Sequence, residues 1–107
     1  MLNMLTAQAA KIALVNDSFR QSEEDVVLTN GVQSIPNLRG LMARIRIYNH
    51  FTKDNDPYGE HDFGKIKWLG FEIFWKIDYY DQKLEGWADP LSVECRRVMT
   101  VMLAYEY

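Results

Sequence analysis

The chain has 107 residues, of which 48% are apolar and 13% aromatic, which suits one domain over residues 1–107 with a modest core. Its formal net charge of -3 argues against general affinity for nucleic acid, because neutralising phosphates requires a basic surface. No apolar run approaches the length of a membrane span, and the N-terminal residues lack the basic and apolar regions of a signal peptide. We therefore expect a cytoplasmic protein that contacts no membrane.

The first half of the chain predicts two helices and one hairpin. Apolar residues recur at helical spacing from Thr6 to Arg20, with Thr6 suited to the N-cap. Two short apolar runs then flank Asn30-Gly31, which indicates a β-hairpin over residues 26–35; the alternative is one strand that leads through a turn into a helix. Pro36 suits a helix start, and the apolar stripe after it predicts a second helix from Pro36 to His50.

The clearest β-pattern lies between Phe71 and Tyr80, where one set of side chains faces the core and the other faces outward. Phe63 to Trp68 alternates less regularly, and Leu69-Gly70 between the two runs predicts an antiparallel hairpin. Counting from a two-residue turn gives the register, which pairs Trp68 with Phe71, Ile66 with Ile73, Gly64 with Trp75 and Lys67 with Glu72. Continuing the ladder sets His61 opposite Asp78 on the outer face and Glu60 opposite Tyr79 on the inner face.

The last part of the chain predicts a helix that packs on the sheet. Asp89-Pro90 has the composition of a helix start, and apolar residues from Leu91 to Leu103 then share one helical face. Cys95, the single cysteine, excludes an internal disulfide and is interpreted as a small core residue. The sequence thus predicts an α+β fold in the order α-β(β)-α-β-β-α, with a small antiparallel sheet of three to four strands and helices on one face.

An acidic turn from Asp54 to Gly64, with the sequence DNDPYGEHDFG, places four carboxylates and one histidine ahead of the β-hairpin. Such a turn contributes little packing, so we interpret it as the functional site. A second acidic group, residues 78–81, closes the strand that follows, and the predicted register brings the two groups together. The candidate binding residues are Asp54, Asp56, Tyr58, Glu60, His61, Asp62, Asp78, Tyr79, Tyr80 and Asp81.

Metal binding is the first chemistry that this turn suggests, since Asp54, Asp56, Glu60 and Asp62 are hard oxygen donors suited to calcium, magnesium or manganese. The EF-hand pattern fails, because Tyr58 stands at a ligand position and a lysine replaces the closing glutamate. Zinc has less support, because the two histidines are eleven residues apart. We predict no cofactor, and a divalent metal stays open as the alternative.

General acid–base chemistry is the second possibility. His61 oriented by Asp78, with Glu60 beside it, would form the catalytic set of an enzyme, and an ordinary cross-strand charge pair is the alternative. Asp62, on the core side near Tyr79, requires a hydrogen-bond donor or a raised pKa unless it caps the turn.

The second predicted helix carries a basic stripe. Arg39 and Arg46 are seven residues apart and share a face, and Arg44 and His50 lie close by in sequence. This stripe could meet an acidic partner, although we favour the solvated side of an amphipathic helix.

Five motifs stand out along the chain, namely NDSFR at residues 16–20, VLTxGV at 27–32, the run 51–64, FWKIDYYD at 74–81 and MLAxEY at 102–107. Together they resemble a family of bacterial domains of unknown function found in proteobacterial chromosomes, plasmids and phage-like elements. The resemblance implies no established fold, activity or cofactor, and it implies a context among mobile-element accessory genes, including those that counter host defence. The first motif adds Asn16 and Asp17 to the candidate residues, because neither favours a helix and both can cap its end or project toward the acidic turn.

Two function classes follow. A binding or inhibitory protein would present the acidic turn and residues 78–81 to a basic partner protein, with tyrosines as contact anchors. That partner could belong to a nucleic-acid-handling complex. An enzyme or small-ligand-binding protein would line a pocket with the same residues, with a metal on the aspartates and His61 as base. The small size and the lack of a recognised catalytic pattern favour the binding protein.

Overall fold

The computed structural model of the chain describes the backbone of residues 4–107 and the side chains from residue 6 onward. It contains four strands in one mixed sheet, in the order β1-β4-β3-β2, together with three α-helices. The elements, in chain order, are α1 Met4–Ser22, β1 Val26–Leu28, α2 Asn30–Gln33, α3 Leu38–Arg46, β2 Phe63–Trp68, β3 Phe71–Tyr80, β4 Arg96–Leu103 and a final 3-10 helix Ala104–Glu106. The predicted α+β class and the number of strands are confirmed.

The core lies between the inner face of the sheet and the helices. Its fully buried members include Leu41 and Ile45 of α3, which pack in one cluster with Ile73 and Trp75 of β3. Among residues 4–107, no helix has the length and apolar character needed to cross a membrane.

The β2–β3 hairpin has the predicted register. Leu69 and Gly70 form its two-residue turn with positive φ angles of 50° and 87°, a geometry that matches the twist of antiparallel strands. The four predicted pairs are all present, namely Trp68 with Phe71, Lys67 with Glu72, Ile66 with Ile73 and Gly64 with Trp75. The ladder between these strands ends at Phe63 and Lys76, so residues 60–62 lie beyond it.

The hairpin predicted over residues 26–35 is wrong, and the alternative of one strand followed by a helix is what the structure contains. β1 pairs with β4 in parallel, and the chain then enters α2. Val32 and Ile35 are both buried in the core. Residues three apart share a face in a helix but lie on opposite faces of a strand, so only the helical turn buries both.

The predicted last helix is also wrong, because residues 96–103 form strand β4. Asp89-Pro90 begins a turn, in which the Asp89 carboxylate accepts a hydrogen bond from the backbone N–H of Leu91 at 2.9 Å. Arg97, Met99 and Val101 are buried at a spacing of two, which is the period of a strand. β4 is hydrogen-bonded on both edges, to β1 in parallel and to β3 in antiparallel, so the sheet is mixed rather than antiparallel.

Both predicted long helices are present with changed bounds. The first helix, α1, extends beyond the predicted residues at both ends, whereas α3 is shorter and begins after Asn37, whose side chain accepts a hydrogen bond from Gly40. Arg20 joins the two helices, since its guanidinium donates to the backbone oxygens of Ile45 and Tyr48, at 3.0 Å each. This arginine is only 2% exposed, so the end of α1 is fixed against the end of α3.

Candidate functional site

The acidic turn is organised by Asp56. This residue is 7% exposed, and its carboxylate accepts hydrogen bonds from the backbone N–H groups of Glu60 and His61 at 3.2–3.3 Å. Its own N–H donates to the carbonyl of Thr52 at 2.8 Å. Asp56 thus holds the loop together from its buried side. A partner protein could not contact this carboxylate directly, but its charge raises the pKa of Asp62.

A buried network joins the acidic turn to α1 and the sheet. The Asn16 amide is fully buried and donates from Nδ2 to the Glu60 carbonyl and the Tyr79 hydroxyl oxygen, at 2.9 Å each. The Tyr79 hydroxyl donates to Glu60 Oε1 at 3.0 Å, and burial raises the pKa of Tyr79, which keeps this donor protonated. On the other side of the amide, Arg97 Nε donates to Asn16 Oδ1 at 2.6 Å. The predicted proximity of Glu60 and Tyr79 is therefore present.

His61 pairs with Asp17 of α1 rather than with Asp78. Its Nδ1 lies 2.9 Å from Asp17 Oδ1, its Nε2 lies 3.9 Å from Asp56 Oδ2, and its ring stacks on Phe51 with centroids 3.8 Å apart. Its φ of 57° turns the backbone away from the ladder. The predicted His61–Asp78 pair is wrong for that reason, and Asp78 instead forms a salt bridge with Lys76 at 3.0 Å.

Asp62 carries the strongest electrostatic perturbation of the acidic turn. Burial, with smaller contributions from the charges of Glu60, Asp56 and Asp78 in that order, raises its pKa from the ordinary 3.8 to about 6. The backbone carbonyl of Asp62 accepts a hydrogen bond from Ile77 at 2.8 Å, which fixes the residue beside β3. Carboxylates of both predicted acidic groups therefore act on one another at this point.

The exposed part of the acidic turn lies beside α1. Asp54 and Tyr58 are exposed, the latter by 81%, and Glu60 and Asp62 are half-buried. Tyr58 and Glu60 line an open groove of about 610 Å³ together with residues 6–12 of α1. We call Asp54, Tyr58, Glu60 and Asp62 the acidic patch.

Three candidates of the second acidic group are not members of the acidic patch, although the charge of one of them, Asp78, raises the pKa of Asp62. Asp78 and Tyr80 alternate with buried residues of β3 and face the outer side of the sheet, which is the side away from the helices. The Asp81 carboxylate accepts hydrogen bonds from the backbone of Lys83 and Glu85 at 3.0–3.1 Å and so shapes the loop after β3.

The predicted oxygen donors do not gather into a metal site. Within residues 4–107, the structure has no group of three or more His, Cys, Asp or Glu side chains placed to hold a metal ion. Asp54, Asp56, Glu60 and Asp62 are spread along the loop, from the exposed Asp54 to the buried Asp56.

Sequence reasoning missed three residues that hold the region together. Arg20 and Arg97 are buried cations, and the alternation of β4 is the signal that could have placed Arg97 on the inner face. Glu106 accepts hydrogen bonds from the Thr29 hydroxyl at 2.6 Å and from the Gly31 N–H at 3.1 Å. These two hydrogen bonds connect the motif at residues 27–32 with the motif at residues 102–107.

Comparison with known proteins places the chain in a family. The family model described as Protein of unknown function (DUF3768) matches residues 28–106, which include the last residue of β1, the acidic turn and the strands β2, β3 and β4. Searches of curated proteins and of solved structures find no match. The resemblance seen in the motifs is thereby confirmed, and the chain belongs to the DUF3768 family of proteins of unknown function.

Proposed function

We propose that this chain is a small binding protein, inhibitory in effect, that engages a basic surface of a partner protein through its acidic patch. The observation that carries the proposal is the concentration of carboxylates around Asp62, whose pKa is raised to about 6 by burial and by the charges of Glu60, Asp56 and Asp78. An approaching cation stabilises the ionised form of such a carboxylate, so contact between Asp62 and a Lys or Arg side chain is favourable.

The carboxylates of the patch are not held in ion pairs, although Lys53 also lines the groove beside α1. Among the described residues, Asp54, Glu60 and Asp62 form no salt bridge. Like charges held together in this way attract a basic surface during its approach and disfavour acidic competitors.

Tyr58 supplies the contact anchor of the patch. It is 81% exposed and stands at the rim of the groove beside α1. An exposed tyrosine contributes a large rigid contact area at low entropic cost, and tyrosines are enriched among the residues that dominate binding energy. The carboxylates of the patch are close enough to act on one another but do not converge on one point. Several Lys or Arg side chains could therefore each contact one of them, whereas a chelated ion would need them together.

The motif resemblance to proteins of mobile elements supports a nucleic-acid-handling complex as the partner, with an anti-defence role in the cell. A basic surface is a general property of proteins that bind phosphates, so an acidic patch can occupy it in place of nucleic acid.

The test measures the affinity of the protein for a fluorescent decalysine peptide by anisotropy. The double variant Glu60→Gln with Asp62→Asn keeps the shapes of both side chains and the acceptor for Tyr79, so the fold is retained. We expect its affinity to fall about two- to thirtyfold, since two pairs are lost and each exposed or half-exposed pair contributes about 0.2–1 kcal/mol. The matched control, Glu24→Gln with Glu85→Gln, removes the same charge from exposed positions elsewhere. Equal losses in the two double variants would contradict the proposal.

A second candidate, acid–base chemistry at His61, is favoured by the hydrogen bond between His61 Nδ1 and Asp17 at 2.9 Å. The pair opens onto a cavity of about 370 Å³ whose lining also includes Arg20 and Arg46. A carboxylate that orients the imidazole in this way is the arrangement of a general base. Hydrolysis of p-nitrophenyl acetate or p-nitrophenyl phosphate that disappears in His61→Asn would support this candidate, and no hydrolysis above the variant's rate would exclude it for these substrates.

A further inference from the structure

A basic groove lies between the end of α3 and the edge strand β2, away from the acidic patch. The groove has a volume of about 550 Å³, and its lining includes Arg44, His50, Lys65 and Lys67 but no Asp or Glu. Arg44, Lys65 and Lys67 are exposed and, within the described part of the chain, form no salt bridge. The groove therefore presents cations that no salt bridge holds, with Glu72 opposite Lys67 on the neighbouring strand, in a protein whose net charge is -3.

An aromatic cluster adjoins this groove on the outer face of the sheet. Phe63 and Phe74 lie on neighbouring strands with centroids 5.3 Å apart, and Tyr107 packs edge-on against both at 6.0 and 5.7 Å. Across the β2–β3 ladder, Phe74 is paired with Lys65 and Phe63 with Lys76. Rings and ammonium groups thus lie opposite one another on this surface, which also carries two carboxylates, Glu72 opposite Lys67 and Asp78 in its salt bridge with Lys76.

Lys65 connects the two features. Its side chain lines the groove, and its ammonium lies 5.6 Å from the centroid of Phe74. Tyr107 is 75% exposed, so a ring of the cluster is open to solvent. One strand of a flexible polyanion could therefore contact the cations at the edge of β2 and the rings on the outer face at the same time.

We propose that the basic groove and the aromatic cluster together bind single-stranded nucleic acid. Phosphates would lie along Arg44, Lys65 and Lys67, and bases would stack on the cluster, with Tyr107 as the exposed ring. Proteins that bind single strands combine a positively charged groove with aromatic platforms in this way. A purely acidic segment such as polyglutamate would contact the cations but has no ring to stack on the cluster. The expectation of no nucleic-acid contact depended on the net charge, whereas the fold separates the acidic patch from the basic groove.

The first measurement is the anisotropy of fluorescein-labelled oligodeoxythymidine and oligouridine titrated with the full chain. We expect binding to either strand, with log K falling against log salt at a slope of about -2 for three phosphate contacts. The double variant Arg44→Gln with Lys67→Gln should reduce the slope and weaken binding. Its control, Lys11→Gln with Lys83→Gln, removes two exposed lysines elsewhere and should retain binding. Equal affinity of the two double variants would overturn the proposal.

The second measurement separates nucleic acid from an acidic partner. Tyr107→Leu removes the exposed ring and leaves every charge in place, and we expect affinity for the oligonucleotide to fall about fivefold or more, because stacking contributes about 1–3 kcal/mol per base. Unchanged affinity of Tyr107→Leu would refute the proposal, because no base would then stack on the ring. Displacement of the oligonucleotide by polyglutamate at equal charge concentration would also refute it and would assign the groove to an acidic protein. Equally tight binding of duplex DNA would refute the preference for single strands.

Discussion

Replacing Asn16 by alanine tests the network that holds the acidic turn in place. The fully buried amide accepts from Arg97 Nε at 2.6 Å and donates to the Glu60 carbonyl and the Tyr79 hydroxyl at 2.9 Å each. Its removal leaves a buried guanidinium N–H and two oxygens with fewer partners. An unpaired buried group costs about 1–3 kcal/mol, and more when it is charged, so we expect a loss of about 3–5 kcal/mol in the free energy of unfolding.

Urea unfolding followed by tryptophan fluorescence measures this loss. With a slope of about 1.5 kcal/mol per molar urea, the midpoint should fall by about 2–3 M while the slope is unchanged. Ser18→Ala, at an exposed position of the same helix, is the control for the change in helix propensity and should stay within about 0.5 kcal/mol of the parent protein. A loss for Asn16→Ala no larger than that of the control would refute the network as a source of stability.

Three further changes give distinct outcomes. Asp62 has a pKa of about 6 in the folded state, above its ordinary 3.8, so the folded state binds the proton more tightly and the free energy of unfolding falls as pH rises from about 4 to about 6. Asp62→Asn should therefore raise the melting temperature at pH 7 and have little effect at pH 4, as measured by scanning calorimetry. In Gly31→Ala the added Cβ would lie 2.5 Å from Leu103 Cδ1, and urea unfolding should report a loss of about 1–3 kcal/mol. Arg20→Met removes the guanidinium donor of the Tyr48 carbonyl and one of the two donors of the Ile45 carbonyl, and the same assay should show a loss of about 3 kcal/mol; an unchanged midpoint in either variant would contradict these contacts.

The β2–β3 hairpin could be predicted because its information is local. Leu69-Gly70 is a two-residue connection in which glycine adopts a positive φ at no steric cost, and once the turn length is known the register follows by counting. The contact between Glu60 and Tyr79 follows from the same register, although it lies beyond the ladder.

β4 could not be predicted from its own residues. The run from Arg96 to Leu103 has apolar residues at spacings that fit a helix and a strand alike, and Asp89-Pro90 begins turns as well as helices. Pairing with β1, some seventy residues earlier in the chain, and with β3 decides in favour of the strand. The hairpin proposed for residues 26–35 failed for the related reason that β1 has its partner at the other end of the chain.

The candidate site was predicted in composition and only partly in geometry. A half-buried Asp62 with a raised pKa follows from its place beside the core strand. The partner of His61 does not follow, because nothing in the local sequence predicts the positive φ of 57° at this histidine, and Asp17 is 44 residues away. Asp56 could not be told apart from the exposed carboxylates until the loop was folded around it.

Proton release on binding tests the proposed acidic patch most directly. Isothermal titration calorimetry of decalysine at pH 6, repeated in buffers of different ionisation enthalpy, reports how many protons leave the complex. Because Asp62 titrates at about 6, a bound cation should lower its pKa and release a proton, and this release should be absent in Asp62→Asn. Equal proton release in the parent protein and the variant, or binding with no release in either, would contradict the account.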